Sequence, residues 1–86
     1  MATVIVYHEI DDQAAWLAAP SREQVFGPLG ITVRTFVDPT NPNRAAVLVD
    51  TPDMETFQNA MASPEDAAAM ANDGVRAATV VALVEA

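Results

Sequence analysis

His8 is the only imidazole in this chain of 86 residues, which contains no Cys and no Lys. Imidazole titrates at about pH 6.5, so His8 is the side chain best suited to move a proton at neutral pH. On an apolar strand it could act as a general base toward an acidic phenol. The alternative is a structural His, partly buried and bonded to a backbone carbonyl or to Asp11 or Asp12. Both interpretations stay open at this point.

Two single aromatic residues near His8 could contact a ligand. Trp16 is the only Trp and Tyr7 is the only Tyr. Tyr7 precedes His8 on a predicted strand and therefore points to the opposite face, where a buried hydroxyl could hydrogen-bond a ligand. The alternative for both is packing: Trp16 would close the contact between helix and sheet, and the Tyr7 hydroxyl would reach the surface.

Arg34 and Phe36 share one face of another predicted strand. Both are candidates for ligand contact if that face is covered. A covered Arg needs an acidic partner or an anionic ligand, because an isolated buried charge is unfavourable. We expect an ion pair with a second subunit to be the partner of Arg34. If Arg34 faces solvent, neither role applies.

The run His8-Glu9-Ile10-Asp11-Asp12 contains residue types that bind metals, but it does not predict a metal site. It lacks the second His of an H-E-x-x-H motif, since the fifth residue is Asp12. On a strand, His8 and Glu9 point to opposite sides and cannot hold the same ion. His8 would also be the only His available to a haem. We predict no metal and no cofactor.

The first half of the chain predicts a strand, two short helices and a second strand. Residues 3–10 are β-branched and aromatic, as in an interior strand. Asp11 is the expected cap of a helix that Pro20 ends, and Ser21 with Gln24 fits a capping box for a helix that runs to Phe26. The second strand is predicted over residues 31–38, after a turn at 27–30.

The second half predicts a hairpin, a bent helix and a last strand. Turn residues at 38–43 lead into a strand over 44–50. Thr51-Pro52 is typical of a helix start, with Thr51 as the cap, and Ser63-Pro64 repeats the signal. The helix is predicted to end at Gly74, and the last strand covers 77–85.

Strand, helix, strand, strand, helix, strand is the order of the ferredoxin-like α+β fold. Right-handed crossovers give a four-stranded antiparallel sheet of order 4-1-3-2 with both helices on one face, in a single domain over residues 1–86. The other face would expose apolar residues such as Phe36. A second copy packed face to face about a two-fold axis would cover it. We therefore expect a homodimeric α/β barrel, which would also enlarge a core that is marginal at this length.

The chain resembles the dimeric α/β-barrel superfamily, in particular small proteins like the antibiotic-biosynthesis monooxygenases. The resemblance covers the element order of nearly the whole chain, and its motifs mark turns and caps more than chemistry. The residues that carry it are His8-Glu9-Ile10-Asp11-Asp12 with Trp16, Asp38-Pro39-Thr40-Asn41-Pro42-Asn43-Arg44, and Ala62-Ser63-Pro64-Glu65.

This superfamily is functionally mixed, since its members include cofactor-independent quinone-forming oxygenases, haem-degrading enzymes, polyketide cyclases and isomerases. For this chain the resemblance implies a small aromatic or polyketide-type ligand between sheet and helices, with oxygenation or cyclisation that needs no cofactor. His8 would remove or relay a proton, and Tyr7 or Arg34 would polarise the substrate. The alternative is a non-catalytic dimeric binding or regulatory module, so the sequence leaves open whether the protein is an enzyme.

Composition argues against several other partners. The net charge is −8, from twelve acidic residues against four Arg. Such a chain repels the phosphates of nucleic acids and anionic membrane surfaces. The amino terminus has no basic region of a signal peptide, and no apolar run approaches the ~20 residues of a membrane span. We expect a cytoplasmic protein.

Overall fold

The computed structural model describes residues Met1 to Ala86 and contains four strands, four α-helices and one short 3-10 helix. The elements are β1 (Ala2–Ile10), α1 (Gln13–Ala18), α2 (Ser21–Phe26), the 3-10 helix (Gly27–Leu29), β2 (Thr32–Asp38), β3 (Asn41–Thr51), α3 (Met54–Met61), α4 (Pro64–Asn72) and β4 (Val75–Val84). Each of the two predicted helical regions is therefore built from two helices. None of the helices is long and apolar enough to cross a membrane.

The four strands form one antiparallel sheet in the order β2-β3-β1-β4. This is the predicted order 4-1-3-2 counted from the other edge, so the ferredoxin-like α+β fold is confirmed. β1 and β3 are central, as their apolar residues on both faces predict. β3 begins at Asn41, inside the predicted turn, and β4 begins at Val75, two residues earlier than predicted.

The core lies between the sheet and the helices. Alternate residues of β1 are buried against the helices, and they are Val4, Val6, His8 and Ile10. Trp16 of α1, Phe26 of α2 and Phe57 of α3 pack on the same side. The opposite face of the sheet carries no helix, so its apolar side chains are open to solvent in a single chain.

Three predicted helix caps are corrected by the structure. Asp12, not Asp11, caps α1, where its carboxylate accepts from the Ala15 N–H at 2.9 Å. Asp11 instead accepts from Arg76 Nε at 2.8 Å. Asp53, not Thr51, caps α3, because the Thr51 hydroxyl donates to the Asp53 carbonyl. Where two neighbouring polar side chains could cap a helix, the one without another hydrogen-bond partner forms the cap.

The third correction concerns α2, which begins after Pro20 without a side-chain cap. The Ser21 hydroxyl donates to Asp73 Oδ1 at 3.0 Å, so it joins two helical segments rather than closing a capping box. The second helix start is as predicted, because Ser63 Oγ accepts from the Asp66 N–H at 3.1 Å. Gly74 follows α4 with a φ of 75°, a conformation that favours glycine.

Candidate functional site

A cavity of about 50 Å³ lies between the sheet and the helices, beside His8. This is room for a few water-sized groups and is well below the roughly 300 Å³ at which typical ligand sites begin. Its wall is mostly apolar and includes Trp16, Phe26 and Phe57. The polar side chains that line it are His8, Arg22, Asp66 and Asp73.

His8 lies where the pairing of β1 with β4 is interrupted. The register shifts between Tyr7 and Glu9, and residues 77–80 of β4 have no pairing partner on β1. Thr79 Oγ1 replaces the missing ladder bond by accepting from the Glu9 N–H at 2.8 Å. Bulges of this kind re-aim side chains and are common beside active sites. Here the irregularity lies beside the one imidazole of the chain.

The His8 ring is almost fully buried and meets Trp16 edge to face, with 5.4 Å between the ring centroids. Burial lowers the pKa of His8, the neighbouring backbone of Glu9 raises it in part, and the charge of Arg22 lowers it further. His8 is therefore neutral at pH 7 and able to accept a proton. Its Nδ1 atom is buried and has no hydrogen-bond partner.

Arg22 closes the other side of Trp16. Its guanidinium lies 4.4 Å from the ring centroid, and Nη2 donates to the Trp16 carbonyl at 2.8 Å. Burial lowers the pKa of Arg22 and the negative charge of Asp73 raises it, but a guanidinium stays protonated in proteins. The Nη1 atom is buried without a partner. Arg22 thus offers a free N–H donor beside the indole.

Two aspartates face the cavity, Asp66 from α4 and Asp73 from the C-terminal end of that helix. They differ in their hydrogen-bond partners. Asp73 is satisfied, because it accepts from the Ser21 hydroxyl at 3.0 Å and the Asn72 amide at 3.3 Å. Asp66 is only 4% exposed, and its Oδ2 atom has no partner. Burial raises the pKa of Asp66 to about 6. Asp66 therefore changes charge close to neutral pH.

Three buried side-chain atoms lack a hydrogen-bond partner in this protein: His8 Nδ1, Arg22 Nη1 and Asp66 Oδ2. All three belong to residues that line the same cavity. Buried polar groups are nearly always bonded, so each exception calls for an explanation such as a water, an ion or a functional role. Because the exceptions converge on one cavity, this cavity is the best candidate for a ligand site.

The Asp66 carboxyl should destabilise the folded protein at neutral pH. Its pKa is raised in the folded state, so the folded state binds the proton more tightly than the unfolded state, and stability falls as pH rises from about 4 through 6. Asp66→Asn is expected to raise the free energy of unfolding by about 1–3 kcal/mol at pH 7.5. At pH 4 the change should be small, because the carboxyl is then neutral in the folded state and only about half ionised in the unfolded chain.

Chemical denaturation of the variant and the wild type at both pH values measures this difference. Glu65→Gln is the matched control, since Glu65 is the exposed neighbour of Asp66 on α4. It should give no gain at either pH. An equal effect of Asp66→Asn at pH 4 and pH 7.5 would show that the carboxyl does not titrate in this range.

The structure brings together only two of the five residues that the sequence suggests for a site. His8 and Trp16 line the cavity. Tyr7 and Phe36 face the bare side of the sheet, since both pair with Ala46 across the central strands. Arg34 lies on that side too, with its guanidinium 5.7 Å from the Phe36 ring. Tyr7 and Arg34 do not reach the cavity, so the charged donor beside His8 is Arg22 instead.

Arg22 and Asp66 are the site residues that sequence reasoning missed. The residues around Arg22 predicted only a capping box, and the acidic residues after Ser63 predicted only a favourable helix start. One signal was present: Asp66, Met70 and Asp73 are spaced as one face of a helix, with polar residues on a stripe that packing should make apolar. No three His, Asp or Glu side chains converge in a way that could hold a metal ion.

Several solved structures share this architecture. An antibiotic biosynthesis monooxygenase matches with a TM-score of 0.67 and 16% identity, over 100% of this chain and 97% of its own. A point mutant of SnoaB, a cofactor-independent oxygenase from Streptomyces nogalater, matches with a TM-score of 0.67 and 14% identity, over 98% of this chain and 87% of its own. The chain has the antibiotic biosynthesis monooxygenase fold. The resemblance stated from the sequence is confirmed for the fold.

A second SnoaB structure gives a TM-score of 0.61 at 15% identity, over 98% of this chain and 86% of its own. No family model matches the chain, and no curated protein matches it. At identities this low the likeness establishes the fold alone, and one fold hosts many reactions. The function therefore has to be argued from the site.

Proposed function

We propose that the cavity beside His8 is the active site of a small oxygenase that acts on a phenolic aromatic substrate and uses no cofactor. The observation that carries this proposal is the convergence of three unpartnered buried atoms, from His8, Arg22 and Asp66, on one apolar cavity walled by Trp16. A substrate oxygen placed there would find an acceptor for its proton and a charged donor for the resulting anion. The flat indole supplies a surface for an aromatic ring.

In this proposal neutral His8 accepts the phenolic proton and Arg22 Nη1 stabilises the phenolate. Removal of the proton makes the ring electron-rich enough to react with O2. In a hydroxyanthrone, whose phenolic form loses this proton, the CH2 of the central ring then becomes a carbonyl, one oxygen atom of O2 is retained and the other leaves as water. The substrate supplies all the electrons that O2 needs, so the balance requires no external reductant. The fold shared with SnoaB, a cofactor-independent oxygenase, supports this class of reaction.

The cavity has to widen before it can hold a ring, and the segment that covers it suits such a movement. α1 and α2 contain six residues each, and each has a single buried side chain, Trp16 and Phe26. Helices this short have little stability of their own and depend on their tertiary contacts. Displacement of the α1–α2 segment would open the cavity while the sheet stays intact, at the cost of part of the Trp16 and Phe26 packing.

The bare face of the sheet supports the proposal of a homodimer. Its outward side chains are apolar and strongly exposed in one chain: Ile5 at 48%, Phe36 at 47%, Val81 at 50% and Leu83 at 61%. A contiguous apolar face of this kind is unusual in a monomer. Arg34 forms no ion pair within its own chain, which fits a partner from a second copy.

Sedimentation equilibrium tests the dimer. The expected mass is twice the 9.1 kDa of the chain. Phe36→Asp should shift the mass to that of the monomer, because it places a charge within the apolar face. Gln24→Asp, on an exposed part of α2, is the control and should leave the dimer unchanged. A monomeric wild type at micromolar concentration would remove the dimer from the proposal.

The second candidate function is a non-catalytic dimeric binding module. The observation that favours it is the volume of the cavity, because 50 Å³ is far less than a drug-sized ligand fills. Under this alternative His8 and Trp16 are structural, and the functional surface lies elsewhere. The two candidates differ in one measurable property, the turnover of O2.

Oxygen uptake in the presence of hydroxyanthrones tests the proposed function. The expected result is protein-dependent O2 consumption that survives a metal chelator and needs no added flavin or nicotinamide. Reactions without protein correct for the slow autoxidation of these phenols. No acceleration with any phenol, at protein concentrations where the fold is intact, would favour the binding module.

A further inference from the structure

Four charged or titratable side chains face the cavity. His8 comes from β1, Arg22 from α2, Asp66 from α4 and Asp73 from the end of α4. The residues that α1, α3, β3 and the rest of β1 and β4 contribute to the wall are apolar: Val6, Trp16, Val47, Val49, Phe57, Met61, Val75 and Val80. The charge state of the cavity is therefore set by these four groups alone.

These charges do not balance at neutral pH. Asp73 and Arg22 carry opposite charges and together contribute no net charge, and the negative charge of Asp73 acts on Arg22. Asp66 has no partner and keeps a net negative charge in an apolar wall once it ionises. An anion that entered to bind Arg22 would then face this second, uncompensated negative charge. In a medium of low polarity such a like-charge pair is strongly unfavourable.

We propose that ligand uptake in this cavity is coupled to proton uptake at Asp66, and that Arg22 binds the oxyanion of a weak-acid ligand, a phenol or a carboxylic acid. This inference rests on the proposed function in one respect, since it assigns a ligand to the same cavity. It goes further by naming the charge of the bound ligand and the group that has to be neutral for binding. When Asp66 carries its proton, the carboxyl also offers an O–H donor, so the anion finds two donors.

The structure supplies its own reporter for a test. Trp16 is the only Trp and forms part of the cavity wall, so its fluorescence reports on the occupied cavity. Benzoate is the probe, because it stays anionic from pH 5 to pH 8, and benzyl alcohol is its neutral counterpart of similar shape. Both are titrated against the wild-type protein across this pH range.

The expected result is a dissociation constant for benzoate that rises about tenfold per pH unit above pH 6, as linkage to one proton requires. Benzyl alcohol should bind without this dependence. Asp66→Asn should remove the dependence and bind benzoate at pH 8 as tightly as the wild type does at pH 5. Arg22→Gln should weaken benzoate binding at pH 5 by about ten- to a hundredfold, the loss expected for one hydrogen bond to a charged group.

His8 needs a separate variant because it also faces the cavity and gains a proton in acid. In His8→Gln the benzoate step above pH 6 should persist, since it belongs to Asp66. Persistence of the step in Asp66→Asn, or its absence from the wild type while both probes bind, overturns the coupling and leaves the cavity as a ligand site. Failure of both probes to bind at any pH removes the ligand site itself. Failure of oxygen uptake alone removes only the proposed reaction.

Discussion

Replacing His8 with Gln is expected to lower the rate of oxygen uptake by about 10²–10⁴-fold, the usual contribution of a positioned general base. Gln is close to His in size but carries no nitrogen that accepts a proton near neutral pH. The buried Nδ1 atom of His8 has no partner to lose, so the free energy of unfolding should change by less than about 1 kcal/mol. The measurement is kcat for O2 consumption, alongside denaturant unfolding of the same preparation.

The pH profile gives this prediction a second readout. The lowered pKa of His8 means that the ring loses its proton below the usual value of 6.5, so the acid limb of the wild-type pH profile should lie below pH 6.5. This acid limb should disappear from His8→Gln. Gln24→Ala is the control, since Gln24 is exposed on α2 and does not line the cavity. A variant with an unchanged rate and a loss of several kcal/mol in stability would instead make His8 a structural residue.

The strand order was accessible from the sequence because the order of the elements, with right-handed crossovers, gives the sheet order 4-1-3-2. Val4 and Val6 on one side of β1, with Ile5 on the other, predict a central strand, and the structure has one there. Helix caps were less accessible. Asp11 and Asp12 are equivalent in sequence, and only the distant Arg76 draws Asp11 away from the helix. Local sequence patterns therefore predict the strands and helices, while contacts between distant residues decide which side chain caps each helix.

The residues of the candidate site likewise fall into two groups, those that the sequence could suggest and those that it could not. His8 and Trp16 could be suggested from the sequence because each is the only residue of its type. Arg22 and Asp66 could not, because their role depends on which side of a short helix faces the sheet. α2 has six residues, less than two full turns, so no periodicity fixes its rotation. Packing against the sheet sets that rotation, and a sequence of six residues does not by itself predict this packing.

Residues that are adjacent in the sequence need not belong to the same site, as Tyr7 shows. It adjoins His8, yet the alternation of a strand places the two side chains on opposite faces. Tyr7 belongs with Phe36 and Arg34 on the bare face, where any role it has depends on what covers that face. The chain thus carries two separate chemical surfaces, an enclosed one around His8 and an open apolar one.

Trp16→Ala is expected to lower the free energy of unfolding by about 3–5 kcal/mol, the range for truncating a large buried aromatic side chain. Trp16 is 1% exposed and is the only buried residue of α1. Its removal also breaks the edge contact with His8 and the stacking of the Arg22 guanidinium. Domains have about 5–15 kcal/mol in total, so the loss should approach global unfolding. Denaturant titration followed by far-ultraviolet circular dichroism measures it without relying on the missing indole.

Leu17→Ala is the matched control on the same helix, because Leu17 is 48% exposed and should lose less than about 1 kcal/mol. Trp16→Phe separates packing from the specific contacts of the indole, and an intermediate loss is expected. Equal stability of Trp16→Ala and Leu17→Ala would mean that α1 is not held to the sheet by its Trp. That result would also weaken the proposed reaction, since Trp16 is the wall that keeps water from His8. A large loss confined to Trp16→Ala would show that this side chain, which also forms part of the cavity wall, anchors α1 to the sheet.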